Sequence, residues 1–263
     1  MLGAYILAGE VRVTDNRPTE SERAFLAEYD AERFRRPSLT VDVALLTASA
    51  GKLHALVMLR DQHPEKGKWA LPGGFVGIDE SLDAAAARVL AGKAGLRNVF
   101  LEQLYTFGDP GRDPRTRVVT VVYYALVAAE RLVGPLEQAG GDRRLATLRV
   151  PWAGERGGSV EAVDEAGRPL AVAFDHAEIL GMAVKRLRGK LDYAPIGYEL
   201  LPERFSLRAL QDVHEVILGR KLNKDSFRRR MLASGELEPT GERRTDVEYR
   251  PPELYRVVPR SAD

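Results

Sequence analysis

Short apolar runs rich in β-branched residues recur along the first half of the chain. They lie at residues 41–45, 55–59 and 118–127, and each is bounded by glycine, proline or charged residues, which predicts strands. Between the second and third runs, residues 82–94 form an alanine-rich helical segment that Ser81 can cap and Gly95 can end. Strands, a helix and further strands predict an α/β (α+β) layered fold.

Three other segments carry apolar residues at helical spacing. Residues 19–34 and 175–188 predict helices, the second with an aspartate at its start and cations near its end. Residues 206–218 predict a third helix that Ser206 caps. Its apolar stripe consists of Leu207, Leu210, Val213 and Ile217.

A second pattern follows that third helix. Asn223 is the predicted N-cap of another helix at residues 224–234, which Gly235 ends. Two strand-like runs at 237–244 and 249–258 then flank a turn. A helix, a turn, a helix and a basic hairpin together predict a winged helix-turn-helix.

Composition narrows the class of protein. The 263 residues carry 39 basic and 38 acidic side chains, so a basic surface has to be local. Because cysteine is absent, disulfides and thiolate metal sites are excluded. No signal peptide and no run of ~18 apolar residues is found, so we expect a cytoplasmic protein without a membrane span.

Residues 74–96 (GFVGIDESLDAAAARVLAGKAGL) resemble the Nudix box, G-x5-E-x7-R-E-U-x-E-E-x-G-U with U apolar. The pattern is matched by Gly74, Glu80, Arg88, Gly95 and Leu96. Val89, Gly92 and Lys93 replace the three glutamates that bind Mg²⁺ in active members, and on an α-helix these positions share one face. We therefore predict no metal site, no catalytic residue and no enzymatic activity.

The order of further motifs resembles that in the Nudix-related transcriptional regulators of bacteria, the NrtR family. Matching stretches begin at Arg36 (RPSLTVD), Lys68 (KWALPGGF), Leu201 (LPERFSL) and Arg250 (RPPELYR). The resemblance implies a Nudix-like α/β/α sandwich with a C-terminal winged helix. We expect an N-terminal extension at 1–34, a ligand-sensing domain at 35–191, a linker at 192–204 and a DNA-binding domain at 205–263.

The family resemblance also implies a function. Its members are dimeric repressors of NAD-biosynthesis or related genes, and ADP-ribose bound to the Nudix-like domain releases them from double-stranded operator DNA. We expect the same of this chain, as a homodimer with ADP-ribose as effector and no cofactor. Two alternatives stay open, a repressor that senses a sugar phosphate and a Mg²⁺-dependent ADP-ribose or nucleotide-sugar pyrophosphatase. The carboxylates near the box that might serve such an enzyme are Glu65, Asp79, Glu80, Asp83 and Glu102.

Candidate ligand residues surround the box. A guanidinium at Arg112 or Arg115 suits a phosphate, an aromatic ring beside the Pro-Gly-Gly turn suits a base, and Lys93 would neutralise a pyrophosphate without metal. The set is Arg36, Trp69, Gly73, Gly74, Phe75, Lys93, Arg112 and Arg115. Two other polar residues have structural expectations: Glu80 braces the loop by pairing with Arg88, and His176 hydrogen-bonds at a helix start.

Candidate DNA contacts cluster on the second helix of the winged pattern. Between Gly219 and Met231 lie six cations and one anion, and recognition helices contact base edges near their N-termini. The alternative is a solvated basic face. The predicted contacts are Lys221, Asn223, Lys224, Ser226, Arg228, Arg229, Arg243 and Arg244.

Overall fold

The computed structural model describes residues 18–191, 194–243 and 251–258. The chain divides into a short unit that ends at Arg36 and a large unit that begins at Pro37. In the short unit, helix α1 (Glu20–Glu28) is capped by Thr19, and a 3₁₀ turn follows at Ala31–Arg33. The helix predicted for residues 19–34 is therefore too long, because extended backbone at Tyr29 and Asp30 ends it.

Eight strands form one mixed sheet in the described part of the large unit. The strand order is β5-β6-β1-β2-β7-β8, with β3 added to β2 and β4 to β1. Only the β1 and β6 pair is parallel. The strands are β1 (Ser38–Ser49), β2 (Lys52–Leu59), β3 (Trp69–Ala70), β4 (Gly73–Phe75), β5 (Phe100–Phe107), β6 (Val118–Leu126), β7 (Arg143–Arg149) and β8 (Glu161–Val163).

Helices cover both faces of this sheet. Residues 41–47 of strand β1 are continuously buried, as expected for a strand covered on both sides. Val43 on one face packs with helix α2 (Leu82–Val89), and Leu46 on the other packs with helix α4 (His176–Lys190). A short helix α3 (Val133–Glu137) precedes β7. The predicted α/β/α sandwich is confirmed.

The box helix changes type before it ends. Ser81 Oγ accepts the Ala84 amide at 3.2 Å, and Gly95 closes the segment with φ 69°, as predicted. Residues Leu90–Ala94, however, form a π-helical turn rather than α-helix. Val89, the last residue of α2, is buried in the core, whereas Gly92 and Lys93 are exposed. The expectation that residues 89, 92 and 93 share one face stays a prediction.

The C-terminal elements form the predicted winged helix. Helices α5 (Leu207–Leu218) and α6 (Lys224–Ala233) precede the antiparallel strands β9 (Leu237–Arg243) and β10 (Glu253–Val257). Ser206 Oγ accepts the Ala209 amide at 3.1 Å, and Asn223 Oδ1 accepts the Ser226 amide at 3.0 Å. The buried cluster beneath them contains Phe205, Leu207, Leu210, Phe227, Met231 and Tyr255. None of the helices within 18–191, 194–243 and 251–258 has the length and apolarity to cross a membrane.

Helix α5 belongs to two cores at once. Its Leu210 packs in the winged-helix cluster, whereas Val213 and Ile217 pack in the cluster under the sheet and α4. The segment predicted as a linker is packed as well, since a 3₁₀ turn at Pro195–Leu200 buries Ile196 in that second cluster. The expectation of a separate connection at residues 192–204 is therefore corrected, because part of it is core.

The turn between α5 and α6 is held by Glu215. This buried carboxylate accepts hydrogen bonds from Lys221 Nζ at 2.7 Å, Gln211 Nε2 at 2.9 Å and the Leu222 amide at 3.1 Å. The hydrogen bond from Lys221, followed by those from Leu222 and Gln211, lowers the pKa of Glu215 to about 2. The ionised carboxylate therefore fixes the short path from α5 to the first turn of α6.

We predict that Glu215→Gln lowers the free energy of unfolding by about 1–3 kcal/mol at neutral pH, because charge-assisted hydrogen bonds are lost. A depressed folded-state pKa gives stability that is present above the unfolded value of 4.5 and is lost as pH falls toward about 2. Urea unfolding between pH 7 and pH 3 should show a flatter pH dependence for the variant. Asp212→Asn, at a half-buried carboxylate of the same helix, is the control, and equal slopes in wild type and Glu215→Gln would contradict the prediction.

Candidate ligand pocket and nucleic-acid interface

A pocket of ≈ 230 Å³ opens beside the β3–β4 turn. It is bounded by β1, the end of the box helix, the loop before β6 and the start of α4. Six of the eight predicted ligand residues line it, namely Gly73, Gly74, Phe75, Lys93, Arg112 and Arg115. The lining also contains polar and aromatic residues that were not among the predicted ligand residues: Asp42, Arg60, Asp113, Phe174 and His176.

Asp42 is the buried acid of this pocket. Its Oδ2 accepts the Thr120 hydroxyl at 2.8 Å and lies 3.7 Å from Arg112 Nη2, and its Oδ1 lies 3.9 Å from His176 Nε2. Gly73 has to be glycine here, because a Cβ at that position would lie 1.9 Å from Asp42 Oδ1. The sequence carried a signal for Asp42, since aspartate inside an apolar strand is rarely buried without partners.

His176 faces Asp42 in a defined tautomer. Its Nδ1 accepts the Leu71 amide at 2.9 Å, so in the neutral ring the proton resides on Nε2, on the side of Asp42. Burial lowers the pKa of His176, and the charges of Asp42 and Asp175 only partly oppose that shift. The predicted hydrogen bond at a helix start is confirmed, because His176 is the first residue of α4.

The two predicted pocket arginines are already paired with acids. Arg112 donates to both carboxylate oxygens of Asp175 at 2.8 Å, and its side chain is 5% exposed. Arg115 donates to both oxygens of Asp113, and this hydrogen bonding is the main cause that lowers the pKa of Asp113. Both arginines line the pocket, but their charges are largely neutralised by these carboxylates, and their contact with a ligand stays a prediction.

Lys93 and Arg60 donate hydrogen bonds to backbone carbonyls, whereas Arg112 and Arg115 donate to carboxylates. Lys93 Nζ donates to the Gly73 carbonyl at 2.5 Å, and Arg60 Nε donates to the Pro64 carbonyl at 2.9 Å. The Arg60 guanidinium also lies 4.8 Å from the centre of the Phe174 ring. Burial lowers the pKa of Lys93, and the charge of Asp42 opposes this. Among the described residues neither cation has a carboxylate in ion-pair contact, so both can meet an anionic ligand.

The residues around the box do not fit a Mg²⁺ site. Val89 and Gly92 offer no ligand oxygen, and Lys93 carries a cation where a metal-binding carboxylate is needed. In the described ranges, no three acidic, histidine or cysteine side chains are arranged to hold a metal ion. Most nearby carboxylates have other partners: Glu65 pairs with Lys68, Asp83 accepts from Tyr123, and Glu102 pairs with Lys190.

Glu80 is the retained box carboxylate, and its role is to brace the loop. Its oxygens accept Arg88 Nε at 2.6 Å and Nη2 at 2.8 Å, and Arg88 also donates to the Phe75 carbonyl at 2.9 Å. The hydrogen bond from Arg88, followed by that from the Gly77 amide, lowers the pKa of Glu80 to about 2. The expected structural pair is confirmed.

Two predicted ligand residues lie elsewhere. Trp69 is 8% exposed in β3, where it packs in the core and the Arg144 guanidinium lies 4.2 Å from the centre of its ring. Its predicted stacking on a ligand base is therefore corrected, because the ring is part of the core. Arg36 is the last residue of the N-terminal unit, and its ligand role stays a prediction.

Six of the eight predicted DNA contacts lie on α6 or in the segment just before it. Lys221, Asn223, Lys224, Ser226, Arg228 and Arg229 are all exposed, whereas Phe227 is buried. Two of them already have partners, since Asn223 Oδ1 caps α6 and Lys221 pairs with Glu215. Arg243, at the end of β9, donates to the Pro251 carbonyl at 3.3 Å, and Arg244 lies outside the described residues.

A groove of ≈ 530 Å³ joins α6 to α5 and the wing. Lys224 and Arg228 line it, together with Arg208 of α5 and Pro252 beside β10. Arg208 was not selected from the sequence, because it precedes the basic cluster by twelve residues and pairs with Asp212. The fold brings it onto the same basic surface.

We predict that Gly73→Ala lowers the free energy of unfolding by about 1–3 kcal/mol, because its methyl group overlaps Asp42 and forces the buried network apart. Gly92→Ala is the control, since nothing lies within 4 Å of a Cβ there. That variant should be neutral or more stable by about 0.5–1 kcal/mol. Urea unfolding measures both, and equal stabilities of the two variants would contradict the prediction.

Two family models match consecutive parts of the chain. The model of the Nudix domain matches residues 36–151, and the model of the NrtR DNA-binding winged helix domain matches residues 197–257. An ADP-ribose pyrophosphatase of Methanocaldococcus jannaschii is 30% identical over 179 residues, 67% of this chain and 92% of that protein. The similarity to that enzyme spans two thirds of the chain.

Two other relatives extend over nearly the whole chain. The NrtR of Shewanella oneidensis in complex with a 27mer DNA is 34% identical, with a TM-score of 0.70 over 84% of this chain and 93% of that one. The ADPR responsive transcriptional repressor NtrR of Acinetobacter baylyi is 37% identical over 240 residues, 90% of this chain and 89% of that protein. The fold, the two domain matches and these relatives agree: the chain belongs to the NrtR family.

Proposed function

We propose that this protein is a transcriptional repressor whose winged helix binds operator DNA and whose Nudix domain binds ADP-ribose or a related metabolite that releases the DNA. The repressor of Acinetobacter baylyi, described as ADPR responsive, supports this proposal. The observation that carries it is a phosphate pocket in which Lys93 takes the place of a metal-binding carboxylate, in one chain with a winged helix. The chemistry of the pocket suits holding a ligand intact.

The pocket suits the diphosphate of such a ligand. Lys93 and Arg60 supply positive charge that no carboxylate in the described ranges neutralises by an ion pair. Charge-assisted hydrogen bonds to phosphate are among the stronger polar contacts. At ≈ 230 Å³ the pocket is smaller than the about 300–1,000 Å³ typical of sites for drug-sized ligands. We therefore assign it to the diphosphate and an adjoining sugar, with Phe75, which is 51% exposed, at its edge.

The DNA surface suits a symmetric operator. Exposed Lys224, Arg228 and Arg229 on α6 lie where a recognition helix meets the major groove, and the wing lies beside them. As a homodimer, the protein would place two such helices on two half-sites. The family resemblance assigns the regulated genes to NAD biosynthesis, and a repressor of those genes acts in the cytoplasm.

A second candidate function is ADP-ribose hydrolysis, which the similarity to the pyrophosphatase of Methanocaldococcus jannaschii favours. Val89, Gly92 and Lys93 disfavour it, because hydrolysis of this type needs Mg²⁺ to stabilise charge on the pyrophosphate and to activate water. Incubation of the protein with ADP-ribose and Mg²⁺ separates the two functions. If AMP is released at an ordinary enzymatic rate, the Nudix domain hydrolyses ADP-ribose, and the proposal that it only binds this ligand is contradicted.

We predict that the protein binds duplex DNA from upstream of its own gene and that ADP-ribose weakens this binding roughly 5- to 150-fold. Fluorescence anisotropy with tiled duplexes measures both effects, and a panel of sugar phosphates identifies competing effectors.

Arg228→Ala and Arg229→Ala should each weaken DNA binding and lower the slope of log affinity against log salt concentration by about 1. Arg168→Ala, which removes a cation paired with Asp164 in the Nudix domain, should leave the slope unchanged. Equal binding of all sequences with and without ADP-ribose would refute the proposal.

We predict that Lys93→Met weakens ADP-ribose binding roughly 10- to 100-fold, because loss of a charged hydrogen bond removes about 1.5–3 kcal/mol. Calorimetric titration in EDTA measures this contact without contributions from divalent metal. Lys66→Met, an exposed lysine outside the pocket lining, is the control and should bind as the wild type does. If both variants keep full affinity, Lys93 does not contact the ligand.

A further inference from the structure

Helix α4 runs from the ligand pocket to the winged helix. Its N-cap residue Asp175 holds Arg112, and its first residue His176 faces Asp42. Arg188 lies 12 residues further along, which is about 18 Å at ~1.5 Å per residue. The buried side of the helix between them packs in the core under the sheet. The helix therefore connects the two sites as one rigid element.

Arg188 joins the two parts of the chain with one guanidinium. Its Nε donates to the carbonyl of Ile217 in α5 at 2.8 Å. Its Nη1 donates to the carbonyls of Trp152 at 3.1 Å and Gly154 at 2.9 Å, both in the segment after β7. The guanidinium also lies 4.7 Å from the centre of the Trp152 ring. The residue is 7% exposed, so these contacts replace most of its hydration.

The arrangement ties the position of α5 to that of α4. Ile217 is in the last turn of α5, where carbonyls lack partners within the helix and carry the negative end of its dipole. No carboxylate among the described residues pairs with Arg188, so its buried charge depends on the three carbonyls. Removing one acceptor from a buried charge is strongly unfavourable. The last turn of α5 therefore has to follow any displacement of Arg188.

The path from that turn to the recognition helix is short and constrained. Gly219 ends α5 with φ 66°, and a Cβ there would lie 3.0 Å from Arg188 Nη2, so the left-handed backbone and the close guanidinium both favour glycine. Glu215 then fixes the Leu222 amide, and Asn223 caps α6. A displacement of Ile217 is thereby passed to α6 through six residues, 218–223.

We propose that Arg188 is the positioning residue that couples the ligand pocket to the DNA-binding surface. The inference rests on the proposed function. A phosphate bound beside Lys93 changes the charge around Arg112 and Asp42, and the start of α4 is held by these groups through Asp175 and His176. Helix α4 then takes a different position with ligand than without it, and Arg188 carries α5 and α6 along. Such a contact changes the linkage between two binding events rather than either event alone.

The test compares Arg188→Met with Arg186→Met. Both residues are on α4, but Arg186 donates to the Leu104 carbonyl and pairs with Glu102, which are both in the Nudix domain. Full-length wild type and both variants are titrated with ADP-ribose, and with operator duplex in the absence and presence of saturating ADP-ribose. The ratio of the two DNA dissociation constants is the coupling. We expect a ratio of roughly 5 to 150 for wild type and Arg186→Met, and a ratio near 1 for Arg188→Met.

The affinity for ADP-ribose separates coupling from general damage. Arg188→Met should bind ADP-ribose as tightly as wild type, because its side chain is not in the pocket. If Arg188→Met keeps the wild-type coupling ratio, the inference is overturned and the proposed function is left intact. A wild type with a ratio of 1 overturns the proposed function itself. If circular dichroism finds Arg188→Met unfolded, Arg188→Lys replaces it: a reduced ratio supports the inference, and an unchanged ratio overturns it.

Discussion

The burial of α5 between two apolar clusters is the constraint on which the large unit depends. One side of this helix completes the core of the winged helix, and the other completes the core beneath the sheet and α4. Removal of either cluster would leave one side of α5 in water. Because apolar burial is the main favourable contribution to folding, neither half reaches its full stability without the other. The division into a sensing part and a DNA-binding part is functional, whereas the packing is continuous.

The pocket depends on a second constraint, the pairing of buried charges. Asp42, His176 and the Arg112–Asp175 pair form a network whose members lie on three separate segments of the chain. Buried charges are tolerated only where each has partners, so the network fixes the relative positions of β1, the loop before β6 and the start of α4. Lys93 and Arg60 line the same pocket beside this paired network.

Local signals made much of the fold predictable from sequence. Ser81, Ser206 and Asn223 cap helices where predicted, because capping requires only a polar side chain beside a helical run. The Nudix box similarly located the pocket, since its residues are adjacent in the chain. The π-helical turn was not predictable, because alanine-rich sequence suits an α-helix equally well. Asp42, Arg60 and Arg208 were missed because only long-range pairing of strands and helices brings them to their sites.

The packed turn at Pro195–Leu200 has a consequence for how such a protein evolves. In a regulator made of two independent domains, an exposed linker usually joins the domains. The DNA-binding domain can then be recombined with a different sensor domain. Here Ile196 and Leu200 lie in the core of the sensing domain, and α5 supplies part of that same core. The DNA-binding domain can therefore not be exchanged without remaking the interior of its partner. Selection on ligand binding and selection on DNA binding then act on shared core residues. The sequences of the two domains would therefore change together through evolution.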